Sequence, residues 1–366
     1  MNGAVLNGVF PGAVLLVAHR GEIVFHLPFG VSDIFSGNKV STDSIFDLAS
    51  LTKPLATALI VMVLVERGIL SLDTRLGDIL HDVRCRYKSS ITIDQLLRHR
   101  SGLPAHRPFY QGLSPVPSRE NRRLLRKLVI EEPLLSMPGS DEIYSDLGYI
   151  LLCWVIEDVT KNRLDINLYK ALYLPLNIQD LFFVDLNDSG IVPDRDEHFF
   201  AAGNGAGKKS FVATEICPWR KKILCGEVHD DNAWVAGGVE GHAGLFGTAC
   251  GVWKILNILL SVMSDRYDFS FPISKRTLLD FVTKGESGGM VAGFDTPSPS
   301  GSSSGRYLSS SSIGHLGFTG TSFWLDPEND LIAILMTNRV HLGRDNVKIK
   351  HFRPFIHDLI AESTIV

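Results

Sequence analysis

The sequence lacks any recognisable pattern of cysteine spacing. It contains five cysteines, an odd number, and no two of them form a C-x-x-C pair; they are Cys85, Cys153, Cys217, Cys225 and Cys250. Disulfide frameworks and structural zinc sites both need paired or clustered cysteines. The scattered pattern argues against either and fits thiols that stay reduced, so no metal is expected.

The sequence also lacks a long apolar run and a strong charge of either sign. The apolar stretch at residues 55–65 is shorter than the roughly 20 residues that cross a bilayer. A formal net charge of −4 gives no electrostatic reason to expect nucleic acid. No basic region followed by an apolar segment opens the chain, so no signal peptide is visible and a cytoplasmic protein is expected. A periplasmic or extracellular location would need a leader outside this sequence.

The chain does carry enough apolar material for a large core. Of its 366 residues, 45% are hydrophobic and 21% are charged, which excludes a disordered chain. That length allows one large domain or two intertwined ones. No internal repeat is evident, so repeat architectures are not expected.

Sheet-forming patterns stand at both ends of the chain. Apolar runs at residues 13–18 and 22–27 predict an N-terminal hairpin, and a second hairpin is predicted around Pro-Glu-Asn-Asp near the C-terminus. Helices are predicted at 50–68, from Thr92 as an N-cap, at 118–136 with a solvated basic side, and at 147–159, 249–264 and 344–362. Residues 297–312 are expected to form an exposed flexible loop.

These patterns predict an α+β fold. The economical architecture joins both terminal segments, residues 1–66 and 250–366, in one antiparallel sheet flanked by helices. Residues 67–249 then form a mostly helical lobe, and the cleft between the two lobes is the natural active site.

A possible nucleophile stands at the start of the predicted helix at 50–68. Ser50 and Lys53 are spaced i, i+3, so their side chains share one face of a helix. A buried lysine with a lowered pKa could take the serine proton, and the positive end of the helix would favour an oxyanion. The same spacing occurs by chance, however, and Ser50 or Thr52 could simply cap the helix. The pair alone does not decide between these readings.

Two more short motifs follow in order. Tyr144-Ser145-Asp146 precedes the helix at 147–159, where the alternative is N-capping, and His315-Leu316-Gly317 opens a predicted strand. With Ser-Leu-Thr-Lys at 50–53, they resemble the ordered motifs of the serine β-lactamase and penicillin-binding-protein superfamily, specifically its class C-like branch with DD-peptidases and esterases. The resemblance covers nearly the whole chain, through segments such as LLRHRSGLP, AGLFGTA and GFTGTSFWLDP.

The resemblance implies a β-lactamase/transpeptidase-like fold and a serine hydrolase that works through an acyl-enzyme. Ser50 would be the nucleophile, Lys53 would hold it and share its proton, and Tyr144 would act as general base and then acid. The N–H groups of Ser50 and Phe318 would form the oxyanion hole. The resemblance implies no cofactor.

The third motif and Asp146 would contact substrate, but three positions depart from the family pattern. His315, which would face the substrate's carboxylate or leaving group, replaces a lysine, and Leu316 replaces a hydroxyl residue. Asp146 replaces an asparagine that contacts the acyl-side amide, and it could pair with Lys53 instead. Gly317 would let substrate lie flat against the strand.

These departures lower the expectation of efficient penicillin hydrolysis. The substrate is expected to be a small molecule or short peptide carrying an amide or ester, as in a β-lactamase or D-alanyl-D-alanine carboxypeptidase. The alternatives are a carboxylesterase and a weakly active penicillin-binding or sensing module. No nucleic acid or membrane span is expected, and the oligomeric state stays open.

Some remaining features receive a structural interpretation. His242 is expected to be a satisfied structural histidine, and Trp234 and Trp324 are expected to pack rather than stack on ligand. The stretch at 228–234 could line the cleft. The fragment at 203–210 resembles a phosphate loop but has its first glycine misplaced and no Ser or Thr after Lys208, so a nucleotide site is rejected.

Overall fold

The structure is a computed structural model that describes residues 1–187, 211–266, 271–284 and 289–365. The fragment at 203–210 lies outside the described residues. The strands are β1 (Gly12–His19), β2 (Glu22–Gly30), β3 (Phe46–Asp47), β4 (Leu181–Phe183), β5 (Ile216–Cys217), β6 (Lys222–Ile223), β7 (Leu245–Gly247), β8 (Ile313–Leu316), β9 (Ser322–Asp326) and β10 (Leu331–Thr337).

Helices separate and cover these strands. The α-helices are α1 (Asn2–Leu6), α2 (Leu59–Glu66), α3 (Leu76–Ile79), α4 (Arg86–Ser89), α5 (Ile93–Leu97), α6 (Arg119–Glu131), α7 (Asp146–Thr160), α8 (Leu164–Leu168), α9 (Asp231–Val235), α10 (Ala249–Met263), α11 (Lys275–Val282) and α12 (Ile349–Thr364). Ala49–Leu51, Phe109–Gly112 and Arg339–Leu342 are 3₁₀ turns, and Lys53–Ala58 and Tyr169–Tyr173 are π-helical.

Both ends of the chain meet in one antiparallel sheet, as predicted. Its order is β2-β1-β10-β9-β8, so the N-terminal hairpin pairs with the C-terminal strands through β1 and β10. A smaller sheet, β3-β7-β4, joins residues from the predicted sheet lobe and the predicted helical lobe. The lobe boundaries given above stay a prediction.

Strand β1, which lies between β2 and β10, is covered on both faces. Its alternate residues Leu15 and Val17 pack in an apolar cluster with Ile356 of α12, whereas Leu16 packs in the main core with Leu256 of α10. Successive side chains of a strand point to opposite faces, so this two-sided burial needs apolar residues at both parities. The strand is therefore apolar from Ala13 to Ala18 and becomes polar only at its last residue, His19.

The helix predicted at 50–68 forms from residue 49 to residue 66. It begins as a 3₁₀ turn, continues as a π segment and ends as α2. Pro54 lies near its start, where a missing N–H costs little. Ala49–Glu66 is the one described helical stretch long and apolar enough for a membrane span. However, 83% of that stretch is buried in the protein, and its apolar character is accounted for by the core.

Helix α6 corrects one expectation. It spans Arg119–Glu131, capped by Ser118, and ends earlier than predicted. Its basic side is not simply solvated, since Arg122 bonds both Glu157 and Glu240 and is largely buried. The charges of this face therefore hold α6 against α7, which carries Glu157, and against the segment that carries Glu240.

The glycine-rich segment at 237–248 lies against the helix that carries Ser50. Thr57 Oγ1 donates to the Gly241 carbonyl oxygen at 2.7 Å, so this contact fixes the neighbouring backbone. A Cβ on Gly241 would collide with the Tyr149 carbonyl oxygen and crowd Cys153. Only a residue without a side chain allows this approach.

Gly241→Ala is expected to destabilise the protein by about 1–3 kcal/mol, because overpacking a close backbone contact forces neighbouring atoms apart. Denaturant unfolding measures the change. The matched control is Gly112→Ala, because a Cβ there meets nothing within 4 Å. Equal stability of the two variants would contradict the close packing described here.

Candidate active site

Ser50 follows a strained backbone turn at the end of β3. Ala49 adopts a left-handed conformation with φ of 49°, which a residue with a Cβ rarely takes. The buried Asp47 carboxylate holds this turn by accepting from Ala49 N at 2.8 Å and from His229 N at 2.6 Å. Burial raises the pKa of Asp47, while these N–H groups oppose the rise. This turn places Ser50 at the start of its helix, at the edge of the buried core.

The Lys53 ammonium group is fully buried and has three partners. Nζ donates to Ser50 Oγ at 3.0 Å, to Asp146 Oδ1 at 2.7 Å and to the His242 carbonyl oxygen at 3.1 Å. An ammonium group has three N–H donors, so this environment matches its charged form. The first two motifs therefore meet at one lysine.

The ion pair with Asp146 fixes the charge state of Lys53. Burial alone would lower the pKa of Lys53, but the Asp146 carboxylate outweighs it and raises that pKa well above its ordinary value. Burial likewise opposes ionisation of Asp146, but Lys53 holds the pKa of that carboxyl far below its usual range. A lowered pKa, the condition under which Lys53 could take the serine proton, is not met, and the alternative pairing of Asp146 with Lys53 is confirmed.

Tyr144 lies over this ion pair. Its ring centroid is 4.9 Å from Lys53 Nζ, and 39% of its surface is exposed. Burial of the hydroxyl end raises the pKa of Tyr144, with Asp146 adding to the rise and Lys53 opposing it. At neutral pH the resting residue is therefore a phenol, with a phenolate as the minor form beside the ammonium.

No sequence pattern pointed to His99, whose ring packs against that of Tyr144. Its ring centroid is 4.4 Å from that of Tyr144, and its Nδ1 accepts from Ser145 N at 2.9 Å, which leaves the proton on Nε2. Burial, with Lys53 nearby, holds the pKa of His99 well below its usual value, so the imidazole is neutral. The left-handed φ of 57° at a non-glycine residue is not readable from sequence. Ser145 also caps α7, so the capping interpretation is confirmed for that residue.

His315 is neutral and almost fully buried. Burial, with Lys53 also contributing, lowers the pKa of His315 to about 3. Its ring centroid is 6.0 Å from that of Tyr144, and Nδ1 lies 3.0 Å from the Leu316 carbonyl oxygen. His315 therefore brings no positive charge to the site formed by Ser50, Lys53 and Tyr144.

Gly317 and Phe318 form the turn after β8. A Cβ on Gly317 would lie 2.8 Å from the Leu48 carbonyl oxygen and would collide with Thr321, so the space is filled by this protein's own atoms. The expectation that this glycine makes room for substrate is wrong in that respect. The Phe318 ring is 48% exposed and stacks on His229, with centroids 5.5 Å apart.

A second ion pair lies beside the first. His242 Nε2 is 2.9 Å from Asp230 Oδ1, and although burial opposes it, this carboxylate raises the pKa of His242. The imidazole is thus paired through Nε2, whereas its buried Nδ1 has no hydrogen-bond partner among the described residues, and its backbone carbonyl contacts Lys53. Asp230 also confirms that the stretch at 228–234 reaches the site. Trp324, only 1% exposed, packs in the core as predicted.

His106, Asp146 and Asp230 place one ligand atom each within 4.8 Å of one another. A divalent cation could be held by such a set. Both carboxylates already have partners, however, since Lys53 pairs with Asp146 and His242 pairs with Asp230. The arrangement is accounted for without a metal.

The site thus brings together the Ser50 hydroxyl, the Lys53 amine and the Tyr144 phenol. The Asp146 carboxylate pairs with the amine at their centre. A family model described as Beta-lactamase matches residues 4–354. The chain belongs to the β-lactamase family. Its fold agrees with that assignment, because an octameric penicillin-binding protein homologue from Pyrococcus abyssi superposes with a TM-score of 0.71 at 19% identity, covering 98% of this chain and 75% of that one.

Relatives of this β-lactamase-family chain carry hydrolase names. N-acetylmuramyl-L-alanine amidase of Bacillus subtilis (strain 168) is 31% identical over 353 residues, covering 91% of this chain and 78% of the relative. A putative D-alanyl-D-alanine carboxypeptidase of Escherichia coli (strain K12) is 28% identical over 355 residues, covering 91% and 79%. The chain is accordingly a β-lactamase-related serine hydrolase.

Asp146→Asn is expected to move the acid limb of the pH dependence of kcat/KM to lower pH by about 1–3 units. The carboxylate raises the pKa of both Lys53 and Tyr144, so its removal lowers both and populates the basic form at lower pH. His99 and His315 are neutral, and His106 and the Asp230–His242 pair are the other titrating neighbours. Hydrolysis of a p-nitrophenyl ester across pH measures the shift.

The matched control is Asp230→Asn, which removes a carboxylate paired with His242 rather than with Lys53. Its acid limb is expected to move less. Thermal unfolding of both variants must accompany the kinetics, since removing one partner of a buried ion pair can cost about 3–5 kcal/mol. An unchanged acid limb in folded Asp146→Asn would refute the coupling of Asp146 to the base.

Proposed function

We propose that this serine hydrolase is an amidase that cleaves an amide bond of a small peptide-like substrate through an acyl enzyme on Ser50. The observation that carries the proposal is the neutral His315, buried with a pKa of about 3. Penicillins carry a carboxylate, and a neutral imidazole attracts it weakly. Leu316 likewise offers no hydroxyl to that carboxylate.

The proposed reaction starts from the minor form in which Tyr144 is a phenolate beside the Lys53 ammonium. Ser50 Oγ attacks the amide carbonyl carbon while its proton passes to the Tyr144 oxygen. The C–N bond then breaks as Tyr144 returns that proton to the leaving nitrogen. Water enters, gives a proton to Tyr144 and attacks the acyl carbon. The bond between that carbon and Ser50 Oγ then breaks, the acid is released, and Tyr144 returns the proton to Ser50 Oγ, which restores the Ser50 hydroxyl and the Tyr144 phenolate.

Lys53 is assigned an electrostatic role rather than that of the proton acceptor. Its ammonium group, bonded to Ser50 Oγ at 3.0 Å and paired with Asp146, has no vacant site for a proton. A fixed positive charge at this point favours the Tyr144 phenolate and the developing Ser50 alkoxide. The pair thus supports base catalysis by its neighbour.

Two observations favour an amide of a peptide-like molecule over a simple ester. The Bacillus subtilis relative is named an N-acetylmuramyl-L-alanine amidase, and the Escherichia coli relative a putative D-alanyl-D-alanine carboxypeptidase. A cytoplasmic location is proposed as well. The reduced state of Cys85, Cys153, Cys217 and Cys225 supports it, because thiols persist in a reducing compartment.

A substrate panel on the wild type and Ser50→Ala tests the proposal. The panel contains muramyl-L-alanine amides, D-Ala-D-Ala peptides, penicillins and short-chain esters, and an acyl adduct on Ser50 is followed by mass spectrometry. Turnover of an amide by the wild type alone, with penicillin acylating slowly or not at all, is expected.

Other outcomes separate the alternatives. Turnover confined to esters would favour a carboxylesterase, and stoichiometric penicillin adducts that are not released would favour a sensing module. An unchanged rate in Ser50→Ala, or an adduct at another residue, would end the acyl-Ser50 proposal.

A further inference from the structure

The turn between β8 and β9 is built around one carbonyl group. Gly317 O accepts from Gly320 N at 3.0 Å, and Gly317 N donates to Thr321 O at 2.7 Å, which closes the turn. Thr319 Oγ1 and Thr321 Oγ1 donate to the carbonyls of Asp47 and Leu48 at 2.8 and 3.1 Å. The turn that carries Phe318 is thereby tied to the segment that leads into Ser50.

Arg353 of α12 holds this turn from the buried side. Its Nη2 donates to the Gly317 carbonyl oxygen at 3.1 Å and to the Thr321 carbonyl oxygen at 2.7 Å. The side chain is only 6% exposed. Both bonds reach carbonyls of the turn, so Arg353 contacts the backbone of the turn from the interior.

The contact of Arg353 with the Gly317 carbonyl also fixes the direction of the Phe318 N–H, because both groups belong to one peptide unit. The peptide unit between Gly317 and Phe318 is planar and trans, because no cis bond occurs in the described residues. Its C=O and N–H therefore point in opposite directions. A carbonyl fixed against Arg353 in the protein interior requires the Phe318 N–H to point away from α12.

The Ser50 N–H is oriented by the same device. Thr52 Oγ1 donates to the Ala49 carbonyl oxygen at 2.6 Å and is itself held by Leu245 N at 3.1 Å. The trans peptide between Ala49 and Ser50 then directs the Ser50 N–H the other way. Among the described residues neither this N–H nor that of Phe318 donates to a protein group. The Ser50 and Phe318 N–H groups are thus each oriented by a side chain that holds the carbonyl of the same peptide unit.

The two anchors differ in charge. Thr52 is neutral, whereas Arg353 is a cation that forms no ion pair with any described carboxylate. Burial, with Arg339 nearby, lowers the pKa of Arg353 to about 9, so it stays charged at neutral pH. An unpaired buried charge is costly, and retaining one calls for a compensating role.

We propose that Arg353 is a positioning residue that orients and polarises the Gly317–Phe318 peptide as the second donor of the oxyanion hole. A cation on the carbonyl oxygen draws electron density through the peptide and makes its N–H a stronger donor. Arg353, on the buried side of the turn after β8, thus supplies a positive charge in place of the one that a lysine at position 315 would bring. The inference rests on the proposed acyl-Ser50 reaction.

Arg353→Gln and Arg353→Lys test the inference, with Arg339→Lys as the matched control. Arg339 is also buried beside this turn, but its Nε donates to the Phe318 carbonyl oxygen at 3.0 Å, which belongs to the next peptide unit. The informative readout is the infrared stretching frequency of the acyl-enzyme carbonyl made with a ¹³C-labelled ester. This frequency rises when hydrogen bonds to the carbonyl oxygen weaken.

In Arg353→Gln the acyl carbonyl band is expected to rise and kcat/KM to fall about 10- to 100-fold, less than the loss of a whole oxyanion donor, with KM little changed. Arg353→Lys is expected to recover part of both changes. Arg339→Lys is expected to leave the band in place even if it lowers stability. Should Arg353→Gln fail to fold, the band and rate of Arg353→Lys decide.

Two results would overturn the inference, and they are distinguishable. An unshifted band in Arg353 variants whose wild type forms the Ser50 adduct would reduce Arg353 to a structural role and leave the proposed function intact. Absence of any acyl adduct on wild-type Ser50 across the substrate panel would remove the proposed function and this inference together.

Discussion

A single buried ammonium group organises the centre of this protein. Lys53 bonds a hydroxyl on its own helix, a carboxylate at the start of α7 and a carbonyl in the glycine-rich segment. A charge without solvent is tolerated only if each of its donors is matched and an opposite charge lies close. Three separate parts of the chain must therefore converge at Lys53, and the site and the fold are specified together.

The fold supplies this convergence through backbone approaches that leave no room for side chains. Gly241 lies against Tyr149 and Thr57, and Gly317 lies against the Leu48 carbonyl. At the same time a sheet made from both ends of the chain carries β8 beside the Ser50 turn. The lysine is held by the core on one side and contacts Ser50 and Tyr144 on the other.

Local signals in the sequence predicted much of this arrangement. The two hairpins, the capped helix starting after Thr92 and the apolar helix after Ser50 follow from residue patterns that act over a few positions. The three motifs identified the superfamily because their order along the chain is specific, although each one is short. Asp146 was recognised as a departure with two possible partners, and the distance to Lys53 decides between them.

Other features could not be predicted because they depend on contacts distant in sequence. His99 lies in the turn that follows α5, and nothing local shows that its ring will lie against Tyr144. Arg353 is separated from its carbonyl partner by more than thirty residues and lies in a helix that reads as an ordinary amphipathic C-terminus. Burial alone would lower the pKa of Lys53, and the net rise depends on the Asp146 carboxylate that the fold brings beside it. Charge states in a buried site follow from tertiary pairing, which composition and spacing do not contain.

The central claim is that Lys53 remains an ammonium ion in the resting protein because Asp146 is ionised beside it. Its most direct test is an NMR titration of the Lys53 side chain, with ¹³C-labelled lysine and assignment by Lys53→Arg. We predict that the Lys53 signal keeps the chemical shift of a charged amine beyond about pH 11, above the ordinary lysine midpoint of about 10.4. A midpoint near or below pH 8 would show that Lys53 is a neutral base, and would contradict the claim.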